Sequence, residues 1–299
     1  MTDTAVLQRE LDYFRKMRAD RYRPAVFRSV LFIDKDVPPW AEKVVSVYSK
    51  SFAEIAWLTD NHTQFKQGTE ERREEYSKIY RAGTAFEIND IELQRMEKLG
   101  WHIEDSRRTA NATAAEQFLD VVAAVGDTDL GLKGLLTLSG PSSTVAGTKT
   151  GGGTTWTGAA TFDELINDLI LGVQAVRTQS LQFYECNQIL LPEAQYNVAE
   201  RKRNTSHPGF GPTVLDQFRK EYPGIRVKSW ARGATAGAGS TPRAVFMNNA
   251  QEVARMIIPQ EFQMHTPTRL DLGYRVAETF MTGGVITEEP KGITYMDGL

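Results

Sequence analysis

Two runs of alternating hydrophobicity separated by a run of charge restrict the fold more than any other feature of the chain. The first run has its apolar side chains at odd positions: Val45, Val47, Ala53, Ile55 and Trp57. The second run continues at even positions: Tyr80, Thr84, Phe86 and Ile88. A period of two residues indicates β-strands, and Pro38 and Pro39 directly upstream exclude a helix that enters the first run. We expect the two runs to form a long two-stranded arm.

The segment between the runs, residues 60–78, contains five acids and four bases. Such a segment has little apolar surface with which to cover itself, and an isolated two-stranded hairpin is only marginally stable in water. The arm is therefore expected to need a partner surface.

From residue 89 onward the pattern changes to a long helical spine and then to alternating elements. Asn89 and Asp90 are good helix caps, Gly100 predicts a break, and Gly126 predicts a left-handed helix end. The Ser-, Thr- and Gly-rich stretch that follows, 140–158, is expected to be a mobile loop. A compact α/β or α+β unit is predicted next, with elements at 161–173, 188–191, 194–203, 213–222, 225–230 and 244–247.

The tail reads mainly as extended pieces, at 256–258, 268–280, 284–287 and 293–295. A helical middle followed by returning strands predicts that the tail pairs with the early arm and the spine. The fold class predicted from the whole order of elements is α+β.

The chain carries no recognisable catalytic constellation. Cys186 is the only cysteine, and nothing beside it in sequence would lower its pKa, so we interpret it as a small buried hydrophobe. The glycine-rich loop 233–241 lacks the lysine of a phosphate loop and leads into a strand. The histidines lack the spacing of a helical zinc site: His62, His102, His207 and His265. We predict no enzymatic activity and no catalytic, cofactor-binding or metal-binding residues.

Charge and hydrophobicity narrow the classes of partner. The formal net charge is −3, so any contact with nucleic acid must be local. No run of 18 apolar residues occurs, and no membrane partner is expected. A chain of 299 residues with 41% hydrophobic content can bury a substantial core, and the absence of a site in it favours a protein that binds, scaffolds or assembles.

Six short motifs occur in an order that resembles one family. They are Val37-Pro-Pro-Trp-Ala41, Gly126-Asp-Thr-Asp-Leu-Gly-Leu-Lys-Gly-Leu-Leu136, Gln188-Ile-Leu-Leu-Pro-Glu-Ala-Gln-Tyr196, the loop Gly233 to Gly239, Thr282-Gly-Gly-Val-Ile286 and Tyr295-Met-Asp-Gly298. Together with the order of elements, they give a chain that resembles the tailed-bacteriophage major capsid proteins of the Hong Kong 97-type fold, in the DUF-type branch related to encapsulin-like shells. The resemblance spans about residues 20 to 299.

The resemblance implies a Hong Kong 97-like α+β capsid fold with five parts. These are an N-terminal arm at 1–42, an extended hairpin loop at 43–88, the spine helix of a peripheral domain at 89–126, a compact axial α/β domain at 127–253 and returning peripheral strands at 254–299. It further implies self-assembly through hexamers and pentamers into an icosahedral shell around double-stranded DNA. The expected locations are the virion and, during assembly, the host cytoplasm. Separate scaffolding, portal and decoration proteins are expected partners, and contact with packaged DNA should be non-specific.

Two sets of contact residues follow from that resemblance. Aromatic residues dominate interface energetics, so the inter-subunit candidates on the hairpin are Trp57, Phe65, Tyr76 and Tyr80, with packing inside the arm as the alternative. Residues 1–28 hold seven Arg or Lys against four acids, on a segment predicted to be helical from its apolar stripe. The interior, DNA-facing candidates there are Arg15, Lys16, Arg18, Arg21 and Arg23, with a solvated helix face as the alternative.

Two other functions stay open from the sequence. An encapsulin-type nanocompartment uses the same fold to enclose enzyme cargo, and particle diameter and contents would separate it from a genome shell. A soluble hydrolase or transferase with a dispersed site would stay monomeric and turn a substrate over.

Overall fold

The computed structural model describes most of the chain, namely residues 25–52, 69–99, 103–156, 160–205 and 211–299. Several predicted features lie outside these residues: the N-terminal helix with its basic candidates Arg15, Lys16, Arg18, Arg21 and Arg23, and the aromatic candidates Trp57 and Phe65.

Helices and strands both contribute to the described residues, as expected for an α+β fold. The helices are α1 (Phe27–Val30), α2 (Asp90–Leu99), α3 (Ile103–Ala124), α4 (Phe162–Gln179), α5 (Glu193–Arg201) and α6 (Val214–Glu221). The first strands are β1 (Phe32–Asp34), β2 (Lys43–Phe52), β3 (Thr69–Lys78), β4 (Tyr80–Asn89), β5 (Gly126–Asp127), β6 (Leu132–Lys133), β7 (Ser142–Val145) and β8 (Gln188–Leu191). The others are β9 (Arg226–Ser229), β10 (Arg243–Met247), β11 (Arg255–Ile257), β12 (Gln260–Met264), β13 (Thr268–Leu270), β14 (Gly273–Thr282), β15 (Gly284–Ile286) and β16 (Ile293–Asp297).

A five-stranded mixed sheet of order β7–β16–β10–β8–β9 forms the centre of what we call the axial unit. Every residue of β8 is buried, and its apolar sequence Ile189-Leu190-Leu191 is typical of a strand covered on both faces. Helix α4 approaches this sheet closely at Gly172, where an added Cβ would lie 2.4 Å from the ring of Phe246. A glycine at this position therefore sets the distance between helix and sheet.

Two helices of the axial unit begin at threonines, as the sequence predicts. Thr161 Oγ accepts from Glu164 N at 3.4 Å, and Thr161 N donates to Glu164 Oε2 at 2.7 Å. Thr213 and Asp216 form the same reciprocal arrangement at the start of α6. These capping boxes satisfy backbone donors that the first turn leaves free, which fixes where each helix starts.

The described part of the Gly-rich stretch before α4, residues 140–156, is anchored, in contrast to the mobile loop expected from its composition. Strand β7 pairs in parallel with β16, and Lys149 forms a buried ion pair with Asp168 of α4, with side chains 2% and 4% exposed. Trp156 Nε1 donates to Asp168 Oδ2 at 2.7 Å, and Gly147 N donates to Asp168 Oδ1 at 3.0 Å. An ion pair between residues 19 apart leaves no local signature in a loop sequence, so composition could not predict the anchor.

The long hairpin uses a different strand pair from the one predicted. Strand β2 pairs with the charged strand β3, from Lys43 opposite Lys78 to Phe52 opposite Thr69. The second predicted run forms β4, which pairs along its whole length with β14 of the tail. The predicted pairing was wrong because a strand with solvent on one face tolerates charge, so the charged segment could itself form the return strand.

The tail strands divide among three sheets, although the sequence predicts that all of them return to the arm and the spine. Strands β12 and β13 both pair with β14, so the predicted extended piece 268–280 consists of β13, a short turn and most of β14. Strand β11 lies between β1 and β15 in a three-stranded sheet. Strand β16 instead enters the axial sheet between β7 and β10, which corrects the prediction for the last piece of the tail.

One buried carboxylate on α3 links α1 to the segment that follows β9. Asp120 on α3 is buried, and its Oδ1 accepts from Val26 N at 3.0 Å and Phe27 N at 3.2 Å. The same side chain accepts from Trp230 Nε1 at 3.3 Å and Arg232 Nε at 3.1 Å, both in the axial unit. Asp120 therefore holds α1, the spine and the axial unit in one arrangement.

Candidate assembly interface

The β2–β3 hairpin has two chemically different faces, because alternate residues of each strand point to opposite sides. On the inner face, Ser46 is buried and Ser77 and Glu75 are partly buried against the body of the subunit. On the outer face, Val45 lies opposite Tyr76 and Val47 lies opposite Glu74.

Polar contacts attach the root of the hairpin to the body through its inner face. Ser77 Oγ donates to Gly283 O at 2.5 Å, and Lys133 Nζ donates to Glu75 Oε1 at 2.9 Å. Arg255 Nη2 donates to Ser46 Oγ at 3.1 Å. The contacts lie near the root, so they fix the direction in which the hairpin leaves the subunit.

Arg255 connects the hairpin root with two further segments. Its Nη2 lies 2.5 Å from Glu288 Oε1, and its Nε lies 3.4 Å from Asp34 Oδ2. The Arg255 side chain is 15% exposed, and its planar guanidinium can serve several acceptors at once. The root is thereby held by charge-assisted contacts rather than by a large apolar core.

The outer face of the hairpin presents apolar surface to solvent. Val47 is 60% exposed and Tyr76 is 63% exposed, and Val45 is also exposed. Lys43 Nζ lies 4.0 Å from the centroid of the Tyr76 ring, a cation–π contact on the same face. We call Val45, Val47 and Tyr76 the outer apolar face.

Trp40 is a large exposed side chain close in sequence to this hairpin. The sequence did not single it out as a contact candidate. It is 83% exposed and lies three residues before β2. Its position directly after Pro38-Pro39, outside the alternating run, is the signal that could have separated it from the buried tryptophans Trp156 and Trp230.

The structure describes two of the predicted aromatic contacts. Tyr76 lies on the outer apolar face, open to a neighbour. Tyr80 is partly buried against the core, and its hydroxyl donates to Leu130 O at 3.2 Å within the same subunit. An inter-subunit role for either residue stays a prediction.

Two side chains that could carry chemistry, Cys186 and His265, have contacts within the subunit. Burial raises the pKa of the Cys186 thiol to about 12, as for a buried hydrophobe. His265 Nε2 contacts Thr279 Oγ1 at 2.6 Å. Among the residues that the structure describes, no group of three or more His, Cys, Asp or Glu could hold a metal ion. No helix within those residues is long and apolar enough to cross a membrane.

Solved structures of capsids and of a virus-like particle share the fold of this chain. The capsid of Myoviridae Phage XM1 matches with a TM-score of 0.80 and 16% identity, over 97% of this chain and 98% of that chain. The capsid of the native GTA particle, computed with C5 symmetry, matches with a TM-score of 0.71 and 11% identity, over 98% and 97% of the two chains. A virus-like particle from Pyrococcus furiosus matches with a TM-score of 0.57 and 12% identity, over 90% and 91%. The predicted α+β capsid fold is confirmed.

The sequence itself matches the family described as major capsid protein over residues 55–299. The chain belongs to the major capsid protein family and is a shell-forming subunit of the virion. No individually curated protein matches the chain. The resemblance to phage major capsid proteins is confirmed, and the family match favours a capsid over a cargo nanocompartment.

Proposed function

We propose that the chain assembles through hexamers and pentamers into the icosahedral shell of a tailed phage and that the shell encloses double-stranded DNA. The observation that carries this proposal is the outer apolar face on a hairpin whose own subunit covers only the opposite face. In a shell, the hairpin of each copy lies over a neighbouring copy, and the neighbour covers Val45, Val47 and Tyr76. Each such contact is moderate, but every subunit makes several of them, and together they stabilise a closed assembly.

The parts of the subunit take different positions in the proposed shell. The axial unit, from about residue 127 to 253 together with β16, gathers around the fivefold and sixfold centres. The spine α3 and the sheet of β4, β12, β13 and β14 form the periphery. The C5 symmetry used for the GTA capsid supports fivefold rings for this fold.

The remaining partners of the proposed shell are assigned by chemistry and by family. Arg15, Lys16, Arg18, Arg21 and Arg23 form a local basic excess in a chain of net charge −3, which suits non-specific contact with packaged DNA. Separate scaffolding, portal and decoration proteins complete assembly in the host cytoplasm. The chain performs no chemistry in this role.

Electron microscopy of the purified chain, preceded by size-exclusion chromatography with light scattering, tests the proposal. Hollow icosahedral shells, or pentamers and hexamers in equilibrium with them, are the expected result. The particle diameter and its contents distinguish a genome shell from a nanocompartment. A chain that stays monomeric at high concentration, and also when it is co-expressed with its neighbouring genes, would overturn the proposal.

A pair of variants tests the role of the hairpin directly. Val45→Ser with Val47→Ser removes apolar surface from the outer face and should lower the yield of shells while the subunit stays folded. Glu70→Gln is the matched control, since it changes the same face of the hairpin without removing apolar surface. Equal shell yields from the double variant and the control would show that this face is not covered on assembly.

A further inference from the structure

The turn after α4 has a backbone conformation that its residues disfavour. Leu181 has φ of 53° and Gln182 has φ of 68°, and Phe183 N donates to Ser180 O at 3.1 Å. Two consecutive positive φ angles in a four-residue turn normally require Gly, Asn or Asp, because a Cβ crowds the backbone there. Neither residue belongs to that set.

Neighbouring hydrogen bonds hold this turn in place. Ser180 Oγ accepts from Tyr184 N at 3.1 Å, and Gln182 N donates to Arg177 O at 2.8 Å. The buried Tyr184 ring contacts the Phe183 ring edge to face, with centroids 4.9 Å apart. A disfavoured conformation persists when the surrounding structure enforces it, and such positions concentrate at functional sites.

The enforced turn directs two large apolar side chains into solvent. Leu181 is 85% exposed and Phe183 is 79% exposed, two positions apart on one tight turn. We call Leu181 and Phe183 the apolar knob. Because the backbone is already fixed, burying the knob against a partner requires little further ordering of the chain.

A cavity of about 540 Å³ opens beside the knob. Its apolar lining comes from α4, the segment after the turn and the end of α6: Val173, Cys186, Tyr222, Pro223 and Ile225. Its rim is polar and includes Arg177 and Glu185, whose Nη2 and Oε1 atoms are 2.5 Å apart. A cavity lined by both apolar and polar side chains has the mixed composition of a protein–protein interface.

We propose that the apolar knob of one copy of this chain inserts into the α4–α6 cavity of the adjacent copy within each ring of axial units. The occupant is a second copy because the chain is a shell-forming subunit, so copies of itself are the surfaces its axial unit meets. The inference rests on the proposed hexamers and pentamers and specifies residues that hold them together.

The placement of knob and cavity suits a ring contact. They are different surfaces of one domain, and a contact between unlike surfaces generates rings when the rotation closes. Arg177 and Glu185 lie on either side of the turn and also on the cavity rim, so the two surfaces are adjacent. In the proposed rings, the knob contacts the neighbour on one side and the cavity receives the knob of the neighbour on the other side.

Substitution of the knob gives the first test. Leu181→Ser with Phe183→Ser should raise the protein concentration needed for rings and shells by at least about tenfold, as expected when an interface anchor is lost. Leu171→Ser is the matched control, since Leu171 is an exposed leucine on α4 outside the cavity lining. If the knob variant assembles at the same concentration as the wild type, the inference is overturned while the proposed function stands.

Site-directed disulfides give the second test and identify the receiving surface. Shells co-assembled from Phe183→Cys subunits and Pro223→Cys subunits should form a disulfide-linked dimer that neither variant forms alone. Both variants also carry Cys186→Ser, because Cys186 lines the cavity that receives the knob. A chain that carries both substitutions should give a ladder ending at five or six subunits. Shells without the mixed dimer would overturn the inference, and a wild type that never forms shells would instead overturn the proposed function, and the inference with it.

Discussion

The hairpin and the axial unit are stabilised in opposite ways. The central strands β8, β10 and β16 of the axial sheet are almost wholly buried, and α4 packs within van der Waals distance of them. The hairpin consists of two strands, of which one face is held by polar contacts at its root and the other is open to solvent. The axial unit contains its own core, whereas the hairpin lacks the third strand or covering layer that independent stability requires.

This difference separates folding from assembly within one chain. Substitutions in the buried core of the axial unit should change the free energy of unfolding of the subunit. Substitutions on the outer face of the hairpin should change the free energy of association and leave the isolated subunit nearly unaffected. Four substitutions test this division on the dissociated subunit.

The largest effect is expected from Asp168→Ala. The substitution leaves the buried Lys149 ammonium without its counter-charge and leaves Trp156 Nε1 and Gly147 N without an acceptor. Breaking one side of a buried ion pair lowers the free energy of unfolding by about 3–5 kcal/mol. Urea denaturation of the dissociated subunit measures this loss in the free energy of unfolding.

The control for this ion pair removes both charges. Lys149→Met with Asp168→Asn keeps an acceptor for Trp156 and should recover most of the lost stability, since the charge left unpaired is the main penalty. Asp168→Ala with stability within about 0.5 kcal/mol of wild type would mean that the pair is dispensable to the axial unit.

A smaller loss is expected from Gly172→Val. Glycine inside a helix is normally unfavourable by about 1 kcal/mol relative to alanine, so a larger residue would ordinarily be tolerated. Here the added Cβ would meet the Phe246 ring at 2.4 Å, and overpacking should lower the free energy of unfolding by about 1–3 kcal/mol. Gly224→Val is the control, because no atom lies within 4 Å of its added Cβ. Equal unfolding midpoints for the two variants would contradict the close packing of α4.

Asp168 and Gly172 also show what could not be predicted from the sequence. The helix start at Thr161 and the buried strand β8 were predictable, because a capping box and a continuous apolar run are local signals. The Lys149–Asp168 pair and the contact of Gly172 with Phe246 depend on residues that only the folded chain brings together.

The hairpin shows the same limit for the candidate interface. The alternating pattern located β2 and β4 but did not show which strands they pair with. In the structure β2 pairs with β3, and β4 pairs with β14. Tyr76 could be nominated from its chemistry as an aromatic residue. Its position on the outer face depends on the β2–β3 register, which places it opposite Val45. No local pattern in the sequence indicates this register.

On the hairpin, Tyr76→Ala should change the dissociated subunit by no more than about 1 kcal/mol, the upper value for an exposed cation–π contact. The ring touches Lys43 and is otherwise largely exposed, so little is buried within the subunit. The same variant should weaken assembled shells clearly, measured as a lower temperature of shell dissociation. A loss larger than 2 kcal/mol in the dissociated subunit would mean that Tyr76 belongs to the subunit core.

The smallest effect concerns the surface edge of the axial unit, where Glu164 joins the loop to α4. Hydrogen bonds from the Thr150 hydroxyl and from Thr161 N lower the pKa of Glu164 from 4.5 to about 2. A carboxyl whose pKa is depressed in the folded state contributes stability in full above pH 4.5, and this contribution is lost as the pH falls from 4.5 to 2. Glu164→Gln should therefore flatten the fall of the urea midpoint between pH 5 and pH 3, compared with the wild type. The change should be small because solvent screens a surface carboxylate. A fall as steep as that of the wild type would show that the Glu164 contacts do not stabilise this edge of the axial unit against acid.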